Sequence, residues 1–239
     1  MIKLFYLLFF ICIISGCAST HNSAKHVFIL SGQSNMVGLD VDTFFTPRII
    51  EAFGADNTIV VKDAKGGQPI RRWDKNWQPS LNNVSKNYQA KNNGDLYQRL
   101  IAKVELAIKD EQIASLTFLW MQGERDAREQ HGHLYQQSFL NIVEQLKRDQ
   151  GQEKMNVVIG RLSDFDLANN KYKHWTLVRD AQVQLTKQLD NAAWVNTDDL
   201  NDGLNRQGKV INNDLHYSQQ GYQLFGKRLA DAAIALLNE

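Results

Sequence analysis

Five short, unbroken apolar runs recur along this chain, and amphipathic stretches separate them. The runs are Val27-Phe28-Ile29-Leu30, Thr58-Ile59-Val60-Val61, Leu116-Thr117-Phe118-Leu119-Trp120, Val157-Val158-Ile159-Gly160 and Ala193-Trp194-Val195. Short apolar runs of this kind read as strands buried on both faces. Between them, Leu96, Leu100, Ile101, Val104 and Ile108 fall on one helical face. So do Phe139, Ile142, Val143 and Leu146, then Val178, Ala181, Leu185 and Leu189. Gln219 to Leu237 forms a last amphipathic helix. Parallel strands need a crossover between neighbours, and the helices supply it. The alternation predicts an α/β fold with a parallel sheet covered by helices on both faces. No internal repeat or interdomain linker interrupts residues 26–239, which read as one domain. Gly66 to Asn93 is the longest irregular stretch, and long loops of that kind often carry sites.

Residues 1–16 stand outside this pattern. Lys3 precedes an apolar run from Leu4 to Ile14, which matches the h-region of an export signal and is too short to span a bilayer. The run ends in Ile14-Ser15-Gly16-Cys17, which resembles a bacterial lipobox. Cys17 is then the expected lipidation site, and residues 17–25 a lipidated polar tether. Ala18, in place of an inner-membrane-retention Asp, points to an outer-membrane lipoprotein. Cys12 and Cys17 are the only cysteines. One leaves with the signal and the other takes lipid, so the domain has no thiol. A Cys nucleophile, a disulfide and a Cys-based zinc site are excluded. Lys and Arg number 27 against 26 Asp and Glu, a net charge of +1. That balance argues against nucleic acid as a partner.

Three stretches carry candidate chemistry, and the first two follow expected strands. In open parallel sheets the crevice outside the strand C-termini is where ligands bind. Gly32-Gln33-Ser34-Asn35-Met36 follows the first strand. Ser34 in a tight turn there either aims its Oγ into the crevice, with its own N–H facing an oxyanion, or caps a helix. Gln122-Gly123-Glu124-Arg125-Asp126 follows the third. Gln122 can offer amide donors to an oxyanion. Glu124 and Asp126 are either loop or N-cap residues, or groups that hold the site together. Asp214-Leu215-His216 precedes the last helix. A general-base His needs a partner to hold its tautomer, and Asp214 is the nearest carboxylate.

Taken together, Gly32-Gln33-Ser34-Asn35-Met36, Gly66-Gly67, Gln122-Gly123-Glu124-x-Asp126 and Asp214-x-His216 resemble the SGNH-type hydrolases. The closer likeness is to the sialate O-acetylesterase and acetylxylan esterase branch of carbohydrate esterases, and Val178-Arg179-Asp180-Ala181-Gln182 fits it too. The resemblance runs from about His26 to Leu237. It implies a three-layer α/β/α fold with a flavodoxin-like sheet. It implies removal of O-acetyl groups from xylan-type or sialic-acid-type glycans by a serine nucleophile, without metal or other cofactor. Ser34 then matches the nucleophile and His216 the base. The N–H groups of Ser34 and of Gly67 or Gly66, with the Gln122 side chain, match the oxyanion hole. Gln33, Asn35, Glu124 and Asp126 would support the site, and Asp214 would complete the triad.

Two positions depart from the family pattern. Many SGNH enzymes carry the acid three residues before the His, where this chain has Asn213. Asp214 sits two before and points differently, so a backbone carbonyl or Glu124 is the alternative orienting group. Arg125 stands where a small residue is common. Arg71, Arg72, Trp73 and Trp77, in the long loop, suit sugar hydroxyls and ring faces better than an acyl chain. The tryptophans fit the core equally well. An esterase or lipase for another ester, and a non-catalytic glycan-binding lipoprotein, are the competing readings. Loss of Ser34 or His216 would mark the latter, and both are present.

Overall fold

Inside the sheet, one strand in from its edge, lies β1 (Lys25–Gly32), with Val27, Phe28, Ile29 and Leu30 all fully buried. It pairs in parallel with β2 (Thr58–Ala64) on one side and β3 (Ile113–Met121) on the other. The sheet continues through β4 (Asn156–Gly160) to β5 (Ala192–Val195), giving the order β2-β1-β3-β4-β5. That is the flavodoxin-like doubly wound order, with its switch point between β1 and β3. The structure is a computed structural model that describes residues 23–79 and 89–238. The signal segment, Cys17 and part of the long loop lie outside the described residues. Among those expected to form the tether, Lys25 instead opens β1, where its ammonium meets the Asp56 carbonyl at 2.5 Å.

The expected helices are α4 (Asp95–Ala107), α6 (Gly132–Asp149), α7 (Trp175–Gln188) and α8 (Gln219–Asn238). Right-handed crossovers place α4, α6 and α7 on one face of the sheet. On the other face α8 packs against β4 and β5, and against α2 (Val41–Phe44) and α3 (Thr46–Phe53). The result is the α/β/α architecture that the sequence predicts. Shorter pieces escaped the periodicity reading: α1 (Ser34–Gly38), α5 (Glu124–Glu129) and the hairpin β6 (Gly203–Leu204) with β7 (Val210–Ile211). No described helix is long and apolar enough to cross a membrane.

The first described part of the long loop, residues 66–79, folds inward. A 3₁₀ turn at Ile70–Arg72 drives Trp73 into the core beside β1 and β3, where its exposure is 0%. Its indole packs edge-on against Trp120 at 5.1 Å and donates to Ser31 Oγ at 3.0 Å. Trp77 is 2% exposed and stacks edge-on with the buried His131. The expected sugar-stacking role of Trp73 and Trp77 is therefore corrected. A ring wholly inside the core has no free face for a ligand.

Candidate active site

The site begins where β1 ends. Gly32 lies directly opposite Met121 of β3, and a Cβ on it would sit 1.9 Å from the Met121 carbonyl oxygen. Its φ of +140° also excludes most side chains. The Gln33 N–H then bonds that same carbonyl at 2.8 Å, which pins the turn to β3. Ser34 starts α1 immediately after, partly open to solvent. Among the described residues no acceptor faces its N–H, one of the orphan donors of a helix start. After β2, Gly66 and Gly67 turn back toward Ser34; a Cβ on Gly66 would lie 3.9 Å from that of Ser34. Gly67 holds a left-handed φ of +68°, natural for glycine.

Ser34, Gly67 and His216 line one cleft of about 220 Å³, together with Gln33, Glu124 and Arg125. The structure thus brings together residues from the ends of β1, β2 and β3 and from the loop before α8. No hydrogen bond joins Ser34 Oγ to His216 among the described residues; apo catalytic contacts are often open and tighten on substrate.

Asn35 ties these pieces. Its amide donates to Glu124 Oε1 at 3.1 Å and to the Leu215 carbonyl at 3.1 Å. Its oxygen accepts from the Tyr217 N–H at 3.3 Å and from the Tyr222 hydroxyl at 3.1 Å. Leu215 and Tyr217 flank His216. Asn35 therefore grips the base's backbone on both sides, one residue along from the serine.

Asp214 does not grip the imidazole. Its nearest oxygen stands 3.9 Å from His216 Nδ1, beyond hydrogen-bond range. The same oxygen accepts from the His216 backbone N–H at 2.9 Å, a local Asx turn. The expected triad contact is thus absent from this geometry. At Asn213, in the position common for the acid, φ is +45°, and its side chain turns to Phe165 and Asn201.

Gln122 is also redirected. It is fully buried, and its NH₂ serves Asp126 Oδ2 at 2.5 Å, the Gln68 carbonyl at 3.1 Å and Gln33 Oε1 at 3.3 Å. A buried amide beside a buried carboxylate bonds it rather than waiting for substrate. This corrects the oxyanion role expected of Gln122. It holds the segment after Gly67 to the end of β3, while the N–H groups of Ser34, Gly66 and Gly67 stay unengaged among the described residues.

Two carboxyls behind the cleft are strongly perturbed. Burial pushes Glu124 up to about 7, and neighbouring Asp126 adds to it. The Asn35 amide bond pulls the other way without winning. Burial likewise pushes Asp126 up to about 6, against hydrogen bonds from Gln122 and the Ile70 N–H. Glu129 is opposite: burial disfavours its charge, but bonds from His131, Arg71 and Arg125 outweigh that and hold it near 2. Arg71 is accordingly buried against Glu129 at 2.6 Å. It borders a separate cavity with Gln68, Arg72 and Arg125, beyond Gly67 from the Ser34 cleft.

Residues 37–235 match a family described as carbohydrate esterase, sialic acid-specific acetylesterase. The chain belongs to that family. It is a carboxylic ester hydrolase of the carbohydrate esterase type. No curated protein matches the chain in sequence. Among solved structures, a protein of Arabidopsis thaliana superposes with a TM-score of 0.64 at 18% identity, covering 91% of this chain and 99% of that one. A carbohydrate acetylesterase from Xanthomonas citri gives 0.63 at 17%, covering 89% of this chain and 56% of that one. The structure called NanS gives 0.58 at 15%, covering 90% and 97%. At these identities the three likenesses show the shared fold.

The family match in this esterase begins three residues after Ser34 and includes His216. The place of Ser34 in the site rests on the shared cleft. Arg128 and Tyr172 also line that cleft, and neither stood out in the sequence. Arg128 lies one helical turn beyond Glu124, so the α5 face that starts at Glu124 carried a readable signal. Tyr172 sits in an irregular segment with no periodicity to read.

Proposed function

We propose that this esterase removes O-acetyl groups from carbohydrates through an acetyl-serine intermediate on Ser34. One observation carries the reading: Ser34, Gly67 and His216 open on one cleft at the β1/β3 switch point. His216 accepts the Ser34 proton as Oγ attacks the acetyl carbonyl. The N–H groups of Ser34 and of Gly67 or Gly66 stabilise the tetrahedral oxyanion. His216 then protonates the departing sugar oxygen, and water repeats the cycle on the acetyl-enzyme. Arg125 and Arg128 border the serine cleft and offer donors to a hydroxylated alcohol. The candidate glycans are of the acetylated xylan or sialic acid type. The test is acetate release from both, beside p-nitrophenyl acetate, for wild type and Ser34→Ala. Full turnover by a folded Ser34→Ala variant would move the nucleophile elsewhere.

Export and lipidation at Cys17 complete the proposal, placing the enzyme on the bacterial outer membrane. Cys17→Ser should release an active enzyme from the membrane fraction. A wild type that carries no lipid would refute the anchor.

A further inference from the structure

His216 borders a second cavity, of about 340 Å³, that does not include Ser34. Its walls are Asn205, Arg206 and Gln207 from the β6–β7 hairpin, with Asp214 and Tyr222. The hairpin is held in place. Asn205 Oδ1 closes its turn by accepting from the N–H groups of Gln207 at 3.0 Å and Lys209 at 2.9 Å. Arg206 donates to the Gly38 carbonyl at the end of α1, and its guanidinium lies 4.9 Å over the Tyr222 ring. The cavity is therefore pre-formed between the hairpin, the loop that carries His216, and α8. The Gln207 side chain is exposed and takes no hydrogen bond among the described residues.

The chemistry fixes which part of a substrate meets this space. In ester hydrolysis the acetyl group stays on Ser34, and the alcohol leaves with the proton from His216. The alcohol oxygen must therefore face His216. Whatever is joined to that alcohol continues past the imidazole. The Ser34 cleft alone falls below the ~300 Å³ lower end of ordinary small-molecule sites, and the second cavity lies within that range. A guanidinium, two amides and a carboxylate line it, which supplies both donors and acceptors. Although Ile211, Tyr217 and Tyr222 also line the walls, an alkyl or lipid alcohol does not pair with these polar groups. A ring carrying several hydroxyls does.

We propose that the hairpin cavity is a glycan subsite that binds the sugar next to the acetylated one. The substrate is then an acetylated oligosaccharide or polysaccharide, not a free acetylated sugar. This rests on the carbohydrate acetylesterase reading above and specifies its substrate.

The experiment compares kcat/KM within two matched pairs. One pair is O-acetylated sialic acid against O-acetylated sialyl-lactose; the other is mono-acetylated xylose against mono-acetylated xylotriose. In the pair the enzyme cleaves, the oligosaccharide should be preferred by about tenfold, mostly through KM, as one to two net hydrogen bonds supply. Gln207→Ala and, separately, Arg206→Ala should bring that ratio close to one in folded protein checked by circular dichroism. Acetate release with no preference in wild type would overturn the subsite and leave the esterase reading standing. So would a preference that both variants keep. No acetate from either pair, with p-nitrophenyl acetate still hydrolysed, would overturn the carbohydrate reading and the subsite with it.

Discussion

The Ser34 side of the cleft grows directly out of the sheet, while the His216 side hangs from a loop between β7 and α8. On the first side, Gly32 touches the Met121 backbone, Gln33 bonds it, and Asn35 is 1% exposed. On the second, the His216 and Asp214 side chains are 50% and 43% exposed. The two sides meet through Asn35, which holds the backbone at Leu215 and Tyr217. Precision on the His216 side is thus borrowed from the Ser34 side. A loop placed by its main chain keeps a fixed position for the base while leaving its half-exposed ring room to follow substrate.

The largest expected effects fall on the chemical groups themselves. Ser34→Ala and His216→Ala should each lower kcat by about 10⁴ or more, as in serine hydrolases generally. Neither should change the far-ultraviolet circular dichroism, because both side chains are at least partly exposed. The next effect tests the link between the sides. Asn35→Ala removes the donors and acceptor that hold residues 215 and 217. A base displaced by about 1 Å costs on the order of 10² in rate, so kcat should fall by roughly that factor. Leaving the Leu215 carbonyl and Tyr217 N–H without their partner should also cost about 1–3 kcal/mol in urea unfolding. An Asn35→Ala enzyme with wild-type kcat would break the comparison, since the loop would then hold itself.

The two sides also differ in how readable they were. β1 and the tight turn followed from an apolar run closed by Ser31-Gly32, because buried strands and glycine turns leave strong local patterns, while Ser34 stayed open between nucleophile and helix cap until the family resemblance singled it out. The parallel sheet and its helix-covered faces followed from the alternation of elements, whereas the flavodoxin-like strand order came only from the family resemblance. Loop interiors leave no such pattern. Trp73 and Trp77 lie in a segment without periodicity, so their inward direction was invisible until the 3₁₀ turn at Ile70–Arg72 was seen. Gln122 misled because an amide at a strand end looks the same whether it faces solvent or a buried carboxylate such as Asp126. Asp214 misled more instructively. An Asp two residues before an N–H forms an Asx turn readily, and that local bond competes with any reach to the imidazole.

Asp214→Asn sharpens that point with a smaller effect. Loss of a true orienting acid costs about 10⁴ in serine proteases. Here the carboxylate is 3.9 Å from Nδ1, and an Asn oxygen can still accept the His216 N–H. The expected loss in kcat is therefore about tenfold or less. A loss of thousands would mean that Asp214 swings onto the imidazole when substrate binds.

The smallest effect on rate, and the clearest on stability, belongs to Glu124. Burial first, and then Asp126, raise its pKa to about 7 in the folded protein. In the unfolded chain a glutamate titrates near 4.3. Between these values the folded protein holds a proton that the unfolded chain has released. Rising pH then favours unfolding, so this contribution is whole below about 4.3 and is lost as pH climbs through about 7. Asp126, raised to about 6, acts with the same sign. Glu129, held near 2, acts with the opposite sign, but only below the ordinary carboxylate range. Glu124→Gln is neutral at every pH and keeps an oxygen for the Asn35 amide. Its kcat should stay within about tenfold of wild type, since it preserves the hydrogen bond that positions the loop. Its unfolding free energy relative to wild type should rise between pH 5 and pH 7, by on the order of 3 kcal/mol at most. Urea titrations of both proteins at the two pH values would measure it. An equal difference at pH 5 and pH 7 would mean that Glu124 is already ionised in the folded protein, and that the Ser34 side of the cleft carries a buried charge.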